Sequence, residues 1–355
     1  MLERRVLLIS ITTILFLGCL NVLSSSAAWA YLKTGDVLSY TSRHIIYLFL
    51  SILFFLISYW LGTGFIKKFA FWALACSLAL LGTILIPNLR TEINFSKRWI
   101  DLSILSFQPS NLALSGFIIY SSYYFANLGK SVNKTLKIIP HLIITLLSAF
   151  LIYLEPDFGS AVILVVVGMV FYILAGVSWK NLLYFTIPIL IVVLLSSIAE
   201  PYRVKRFISF LNPDEHASYQ VTQSLEAIRA GGLLGQGIGK GKARLLYLPY
   251  SFSDFSFSVF LEETGFLGGF LIYLILGAIL YSGLKLASSS RDLFTMLYGS
   301  AVVIKLCLYA LINTGVSLSL LPAKGLPFPF LSYGGTFLLV TMAEMGFLAS
   351  IGSKK

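Results

Sequence analysis

The sequence predicts an all-α polytopic membrane protein with about ten transmembrane helices, both termini cytoplasmic, and a large extracytoplasmic loop between helices seven and eight. Three observations carry this. Of 355 residues, 57% are hydrophobic and only 12% charged, where a soluble domain carries about 25% charged residues. Mean hydropathy is +0.88. Several apolar runs also reach the roughly 20 residues that a spanning helix needs. The whole chain, 1–355, reads as one integral membrane domain, with residues 199–256 as the large loop inside it.

The predicted spans follow in order. The first runs from Val6 to Ala30, the second from His44 to Leu61 and the third from Phe69 to Pro87. The fourth covers Pro109 to Leu128, the fifth Ile138 to Leu154, the sixth Phe158 to Val177 and the seventh Leu182 to Ile198. The eighth covers Phe257 to Leu286, the ninth Leu293 to about Leu318 and the last Ser332 to Ile351. Arg4-Arg5, an apolar stretch and Ala28-Trp29-Ala30 imitate a signal peptide. The stretch is long enough to span, however, and is read as a retained first helix. Short loops on the side of the N-terminus hold twelve Lys and Arg, among them Lys67, Lys137 and Arg291, against six on the other side. Positive charge marks the cytoplasmic face.

The net charge of +11 does not indicate nucleic acid, because the cations cluster at the ends of apolar runs rather than on one basic face. Cys19, Cys76 and Cys307 lie singly in apolar runs, and His44, His141 and His216 are scattered. No metal site is read from the sequence.

Chemistry concentrates in and after the large loop. Leu248-Pro-Tyr-Ser-Phe-Ser-Asp254 leads into an apolar run that also holds Glu262 and Glu263. A carboxylate in hydrocarbon costs on the order of 2.5–3.5 kcal/mol, so such groups face a wet cavity, pair with a cation or do chemistry. On one continuous helix Asp254, Ser258 and Glu262 would share a face. Phe252, Phe255 and Phe257 add apolar bulk of the kind that raises a carboxylate's proton affinity, as a general base for a sugar hydroxyl requires. A plain helix N-cap explains Ser-Asp equally well. Earlier in the loop, 220–230 has helical character, with Val221, Leu225 and Ile228 on one face. The glycine-rich stretch 231–241 reads either as a phosphate cradle or as a tight-turning loop. Arg203 and Arg206 stand where a lipid phosphate would sit, or snorkel at the interface. Leu321 to Gly335 holds three prolines and three glycines. It is a re-entrant or surface loop presenting Lys324, Ser332 and Tyr333, and broken backbone at membrane depth lines a cavity or is buried.

Taken together, these segments resemble the SEDS family (shape, elongation, division and sporulation) of bacterial peptidoglycan polymerases. The resemblance rests on an ordered set: Lys97-Arg-Trp-Ile with Phe107-Gln-Pro-Ser, Glu155-Pro-Asp-Phe-Gly, Tyr202-Arg, Phe210-Leu-Asn-Pro, Tyr219-Gln-Val-Thr-Gln-Ser-Leu, Asp254-Phe, Glu262-Glu-Thr-Gly, Asn313-Thr-Gly, Lys324-Gly-Leu-Pro and Ser332-Tyr-Gly-Gly. The pattern is closer to the division-type members than to the elongation-type ones. Departures are present: Tyr250, Phe252 and Ser253 replace an acid, an imidazole and a threonine usual in the family, Asn111 stands for a glutamate and Glu155 for a glutamine.

The resemblance implies a peptidoglycan glycosyltransferase that polymerises lipid II with inversion at the anomeric carbon, in septal wall synthesis at the inner membrane. Asp254 would be the base. Arg98, Trp99, Arg203 and Arg206 would contact substrate, as would Gln220, Gln223 and Glu262, and Lys324, Ser332 and Tyr333 in the last loop. No cofactor is certain; a divalent cation such as Mg is one source of charge for the leaving pyrophosphate. Implied partners are lipid II, a class B penicillin-binding protein transpeptidase, other division proteins and the membrane. A lipid II flippase is the rival from another class, resting on the intramembrane Glu262, Glu263, Lys305 and Glu344. A non-catalytic division scaffold is the third reading.

Overall fold

A computed structural model of the chain describes residues 2–84, 91–93, 96–101, 106–198, 204, 219–322 and 324–352. Each predicted span contains a helix: α1 Leu2–Thr34, α2 Ser39–Leu61, the short α3 Thr63–Lys68 with α4 Ala70–Ile84, α5 Pro109–Leu128, α6 Thr135–Leu154, α7 Phe158–Leu174 and α8 Trp179–Ile198. The loop helix α9 covers Tyr219–Gly231, followed by α10 Ser256–Ser288, α11 Leu293–Ser317 and α12 Gly335–Ala349. Five of them, α1, α2, α6, α10 and α11, are long and apolar enough to cross a membrane by length and composition. Apolar side chains on α1 and α2, such as Phe16, Phe49 and Trp60, are exposed, as lipid-facing residues are. Three short antiparallel strands, β1 Thr91–Ile93, β2 Ser96–Asp101 and β3 Ser106–Phe107, add to the all-helical expectation.

The chain divides into two compact units. One comprises Met1–Leu50, Ser197–Ser282 and Leu306–Gly334; the other comprises Ser51–Ser196, Gly283–Lys305 and Gly335–Lys355.

In the second unit α4 packs on α5 and α6 on α7. His141, fully buried, bridges Tyr172 and Ser121 at 3.3 and 2.9 Å. Asp157 caps α7 by accepting from the Ser160 amide at 3.2 Å. Its Oδ2 also accepts from Gln108 Nε2 at 2.9 Å and Ser110 Oγ at 3.2 Å. The Phe107-Gln-Pro-Ser and Glu155-Pro-Asp-Phe-Gly segments are thus joined in one buried knot. Lys305 of α11 donates to Glu344 of α12, both nearly inaccessible to solvent.

The first unit is organised around a break in α10. Gly265, at φ +70°, is non-helical inside it. The break frees backbone groups that hydrocarbon would leave unsatisfied, and the glycine-rich stretch supplies partners. The Phe266 and Leu267 amides donate to the Gly232 and Leu233 carbonyls at 2.9 and 3.2 Å, while the Gln236 and Gly237 amides donate to the Glu262 and Glu263 carbonyls at 2.9 and 3.0 Å. The glycines permit backbone-to-backbone approach. A β-carbon on Gly235 (φ +81°) would stand 2.2 Å from the Glu263 carbonyl oxygen, and one on Gly231 2.1 Å from that of Leu261. The same requirement sets the buried face of α9, which is Ser224, Ala227 and Gly231. The larger Val221, Leu225 and Ile228, which share another face, are only half-buried, because only small side chains let α9 this close to α10.

Gly235→Ala adds a clash to a left-handed backbone, which together should remove on the order of 2 kcal/mol or more of stability. Gly277→Ala, whose methyl would meet open space, should shift stability by less than about 0.5 kcal/mol. Unfolding of the detergent-solubilised chain compares the two. Lys305→Met should lose about 3–5 kcal/mol by leaving Glu344 buried without its cation, and adding Glu344→Met should restore most of it.

Candidate active site

Asp254 lies in a turn at 251–255, two residues before α10 begins. The turn is drawn tight by the Ser253 and Phe255 amides, which donate to the Tyr250 carbonyl at 3.1 and 3.3 Å. Tyr250 itself sits at φ +57°, a region that L side chains enter at a cost of about 1–2 kcal/mol. Leu248 and Phe255 anchor the turn in a small core with Ala227, Ala243, Val259 and Val316.

The proline-rich loop between α11 and α12 folds directly onto this turn. The Tyr333 amide donates to the Phe252 carbonyl at 2.8 Å. Ser256 and Ser332 share a hydroxyl hydrogen bond of 2.6 Å, and Ser332 Oγ also accepts from the Phe328 amide at 2.8 Å. Gly325 lies against the aspartate: a β-carbon there would be 2.7 Å from Asp254 Oδ2. Asp254, Lys324 and Gly325 are all half-buried. The Tyr333 ring packs on Tyr40, Phe252 and His44, with centroids 5.6, 5.8 and 5.9 Å away. Burial, helped by Tyr47 and Tyr40 and opposed by Arg43, pushes its hydroxyl well above the usual tyrosine range. Tyr333 is therefore a neutral group at any ordinary pH.

The sequence expectation of one wet face for Asp254, Ser258 and Glu262 is corrected by the structure. Asp254 precedes the helix. Ser258 is buried against Ser224 at 2.6 Å, and Ser224 is also 2.8 Å from the Ser317 carbonyl. Glu262, 2% exposed, accepts from the Lys242 and Ala243 amides at 2.8 and 3.0 Å. The anion held at the end of the glycine-rich stretch is thus the chain's own carboxylate. Glu263 accepts from Ser24 and lies 4.0 Å from Arg244 Nε, while Arg244 donates to the Gly239 carbonyl.

Other expected site residues distribute as follows. Gln220 and Gln223 lie half-buried on α9, and Gln223 donates to Glu226 at 2.9 Å. Arg98 and Trp99 are in β2, where Trp99 pairs with Thr91. Arg203 and Arg206 lie outside the described residues. Sequence reasoning missed Asn21 and Asn313. Asn21 Nδ2 donates to the Ser256 and Leu331 carbonyls at 3.2 and 3.1 Å, and Asn313 Nδ2 to those of Asp254 and Leu326 at 2.8 and 2.6 Å. Asn313 had a signal in the Asn-Thr-Gly segment; Asn21, alone in an apolar helix, had only its polarity.

The family model for FtsW, RodA and SpoVE, described as a cell cycle protein, matches residues 4–355. The chain belongs to the FtsW/RodA/SpoVE family. It is 34% identical to the probable peptidoglycan glycosyltransferase FtsW of Coxiella burnetii, covering 96% of this chain and 93% of that one. It is 30% identical to the stage V sporulation protein E of Bacillus subtilis, covering 97% and 96%. Among solved structures, a chain of a peptidoglycan synthase complex, described as coordinating polymerization and crosslinking, superposes with TM-score 0.79 at 26% identity over 97% of this chain and 96% of that one. The rod shape determining protein RodA of Thermus thermophilus shares the fold, with TM-score 0.70 at 23% identity over 97% and 95%. Membership in the FtsW/RodA/SpoVE family, with the apolar helices, makes this a multi-pass membrane protein.

Proposed function

We propose that the chain is a peptidoglycan glycosyltransferase that extends glycan strands from lipid II, with Asp254 as general base. The observation that supports this is the seating of the Asp254 carboxyl against Gly325 of the proline-rich loop, with Asp254 half-buried, in a chain whose relatives bear the glycosyltransferase name. In the step we propose, Asp254 takes the proton from the acceptor sugar's 4-hydroxyl as that oxygen attacks the donor's anomeric carbon. The new C–O bond forms opposite the one that breaks, so an α-linked donor yields a β-1,4 linkage. The undecaprenyl pyrophosphate leaves with the bonding electron pair, and its growing charge needs cations nearby. Lys324, the chain neighbour of Gly325, is one candidate cation, and Arg98, Arg203 and Arg206 are the others. Among the described residues no cluster of three or more His, Cys, Asp or Glu could hold a metal ion.

The division role, a location at the septum of the inner membrane, and a class B penicillin-binding protein as partner follow the same proposal. They are supported by the FtsW names of the relatives and by the synthase complex among the structural neighbours. The flippase reading drew on four intramembrane charges. Each has a local partner: Glu262 on loop amides, Glu263 on Ser24, and Lys305 on Glu344. Nothing among them favours transport over synthesis.

Asp254→Asn should reduce glycan polymerisation from lipid II by at least about 100-fold, the order expected for loss of a positioned base, without lowering the melting temperature. Gel analysis of labelled product reads the first and a thermal shift the second. Near-normal strand lengths from this variant would remove Asp254 from the chemistry.

A further inference from the structure

We propose that Asn21 and Asn313 are positioning residues for Asp254 and that Gly325 is glycine to seat its carboxyl. The inference rests on the reading of Asp254 as the base. The two asparagines come from different helices, α1 and α11, and make the same joint. Each is nearly inaccessible, at 3% and 1% exposed. Each carboxamide NH2 donates twice, once to a carbonyl at the turn carrying Asp254 and once to a carbonyl of the proline-rich loop.

Chemistry explains the choice of residue. All four acceptors are carbonyl oxygens, so only the NH2 end can face them, and asparagine is the shortest side chain with two donors on one atom. Neither Oδ1 has a hydrogen-bond partner among the described residues, so the polar function of each side chain is directed wholly at this joint. Asn313 grips the Asp254 carbonyl itself, together with Leu326, and Asn21 grips Ser256 together with Leu331.

Gly325 sits between those grips. A β-carbon there would stand 2.7 Å from Asp254 Oδ2 and 3.2 Å from Cγ. Its φ is not in the left-handed region, so the backbone does not demand glycine; the neighbouring carboxylate does. The arrangement fixes where the carboxyl stands against the proline-rich loop, and a displacement of about 1 Å at a reacting group costs on the order of 100-fold in rate.

The test uses the full chain in detergent with lipid II as substrate, and compares wild type with Gly325→Ala, Asn313→Asp, Asn21→Asp and Asp254→Ala. Gly325→Ala should lower kcat by roughly 10- to 100-fold while KM changes by less than about twofold and the melting temperature holds; Asn313→Asp, which turns an acceptor onto two buried carbonyls, should lower kcat in the same direction and lower the melting temperature as well. A structural role alone would move the melting temperature and not split kcat from KM. Asn21→Asp should fall in the same direction. If Asn313→Asp fails to fold, Gly325→Ala decides, since it adds one methyl to a half-exposed loop. Wild-type kcat in Gly325→Ala with an inactive Asp254→Ala would overturn the positioning inference and leave the base in place. An active Asp254→Ala would overturn both.

Discussion

The break in α10 is the constraint on which the first unit depends. A helix interrupted within an apolar segment frees amides and carbonyls that no lipid can satisfy. Gly265 creates that problem, and the glycine-rich stretch answers it strand-like, exchanging hydrogen bonds with both sides of the gap. Because the partners are backbone groups, the answer is insensitive to most side chains but intolerant of any β-carbon at the closest approaches. It also ties the large loop to the helix that follows Asp254. Glu262 completes the tie by holding the Lys242 and Ala243 amides, which open a π-helical turn at Ala243–Tyr247. From there the chain reaches the Asp254 turn through Leu248, which is fully buried.

The site is consequently built from two kinds of contact. Backbone splicing sets where α10 begins. Short polar side chains, Ser224, Ser256, Ser332 and the two asparagines, then pin the loop and turn against it. None of these groups is charged. In a low-dielectric surround, neutral donors paired to carbonyls hold geometry without the desolvation cost of buried ions. The charged pair Lys305–Glu344 belongs to the other unit, where it joins α11 to α12.

Most of the helices were legible because apolar length alone encodes them. Asp254 stood out as a charge leading into an apolar run, with an N-cap as the rival reading until the family resemblance gave it a role, and Lys324 stood out in a loop too rich in proline to be a plain helix. The glycine-rich stretch was not, since a run of glycines looks alike whether it cradles phosphate or another strand of backbone; only the position of Gly265, some 30 residues on, separates the cases. The buried face of α9 escaped for a related reason. Hydrophobicity selects Val221, Leu225 and Ile228, but close approach selects Ser224, Ala227 and Gly231, and here proximity wins. Asn21 and Asn313 act on carbonyls 13 to 310 residues away, and a carbonyl carries no sequence signature.

The departures beside Asp254 now have a structural meaning. Where relatives usually carry an imidazole, Phe252 is almost inaccessible and packs on Tyr40 and Tyr333 with ring centroids 5.0 and 5.8 Å away. Apolar contact has replaced whatever polar contact a histidine would make there. Tyr250, in place of an acid, holds the turn through its carbonyl rather than its side chain. None of the side chains at 250–253 is a carboxylate or an imidazole. What Phe252 contributes beside the turn is shape; the group able to accept a proton there is the carboxyl of Asp254.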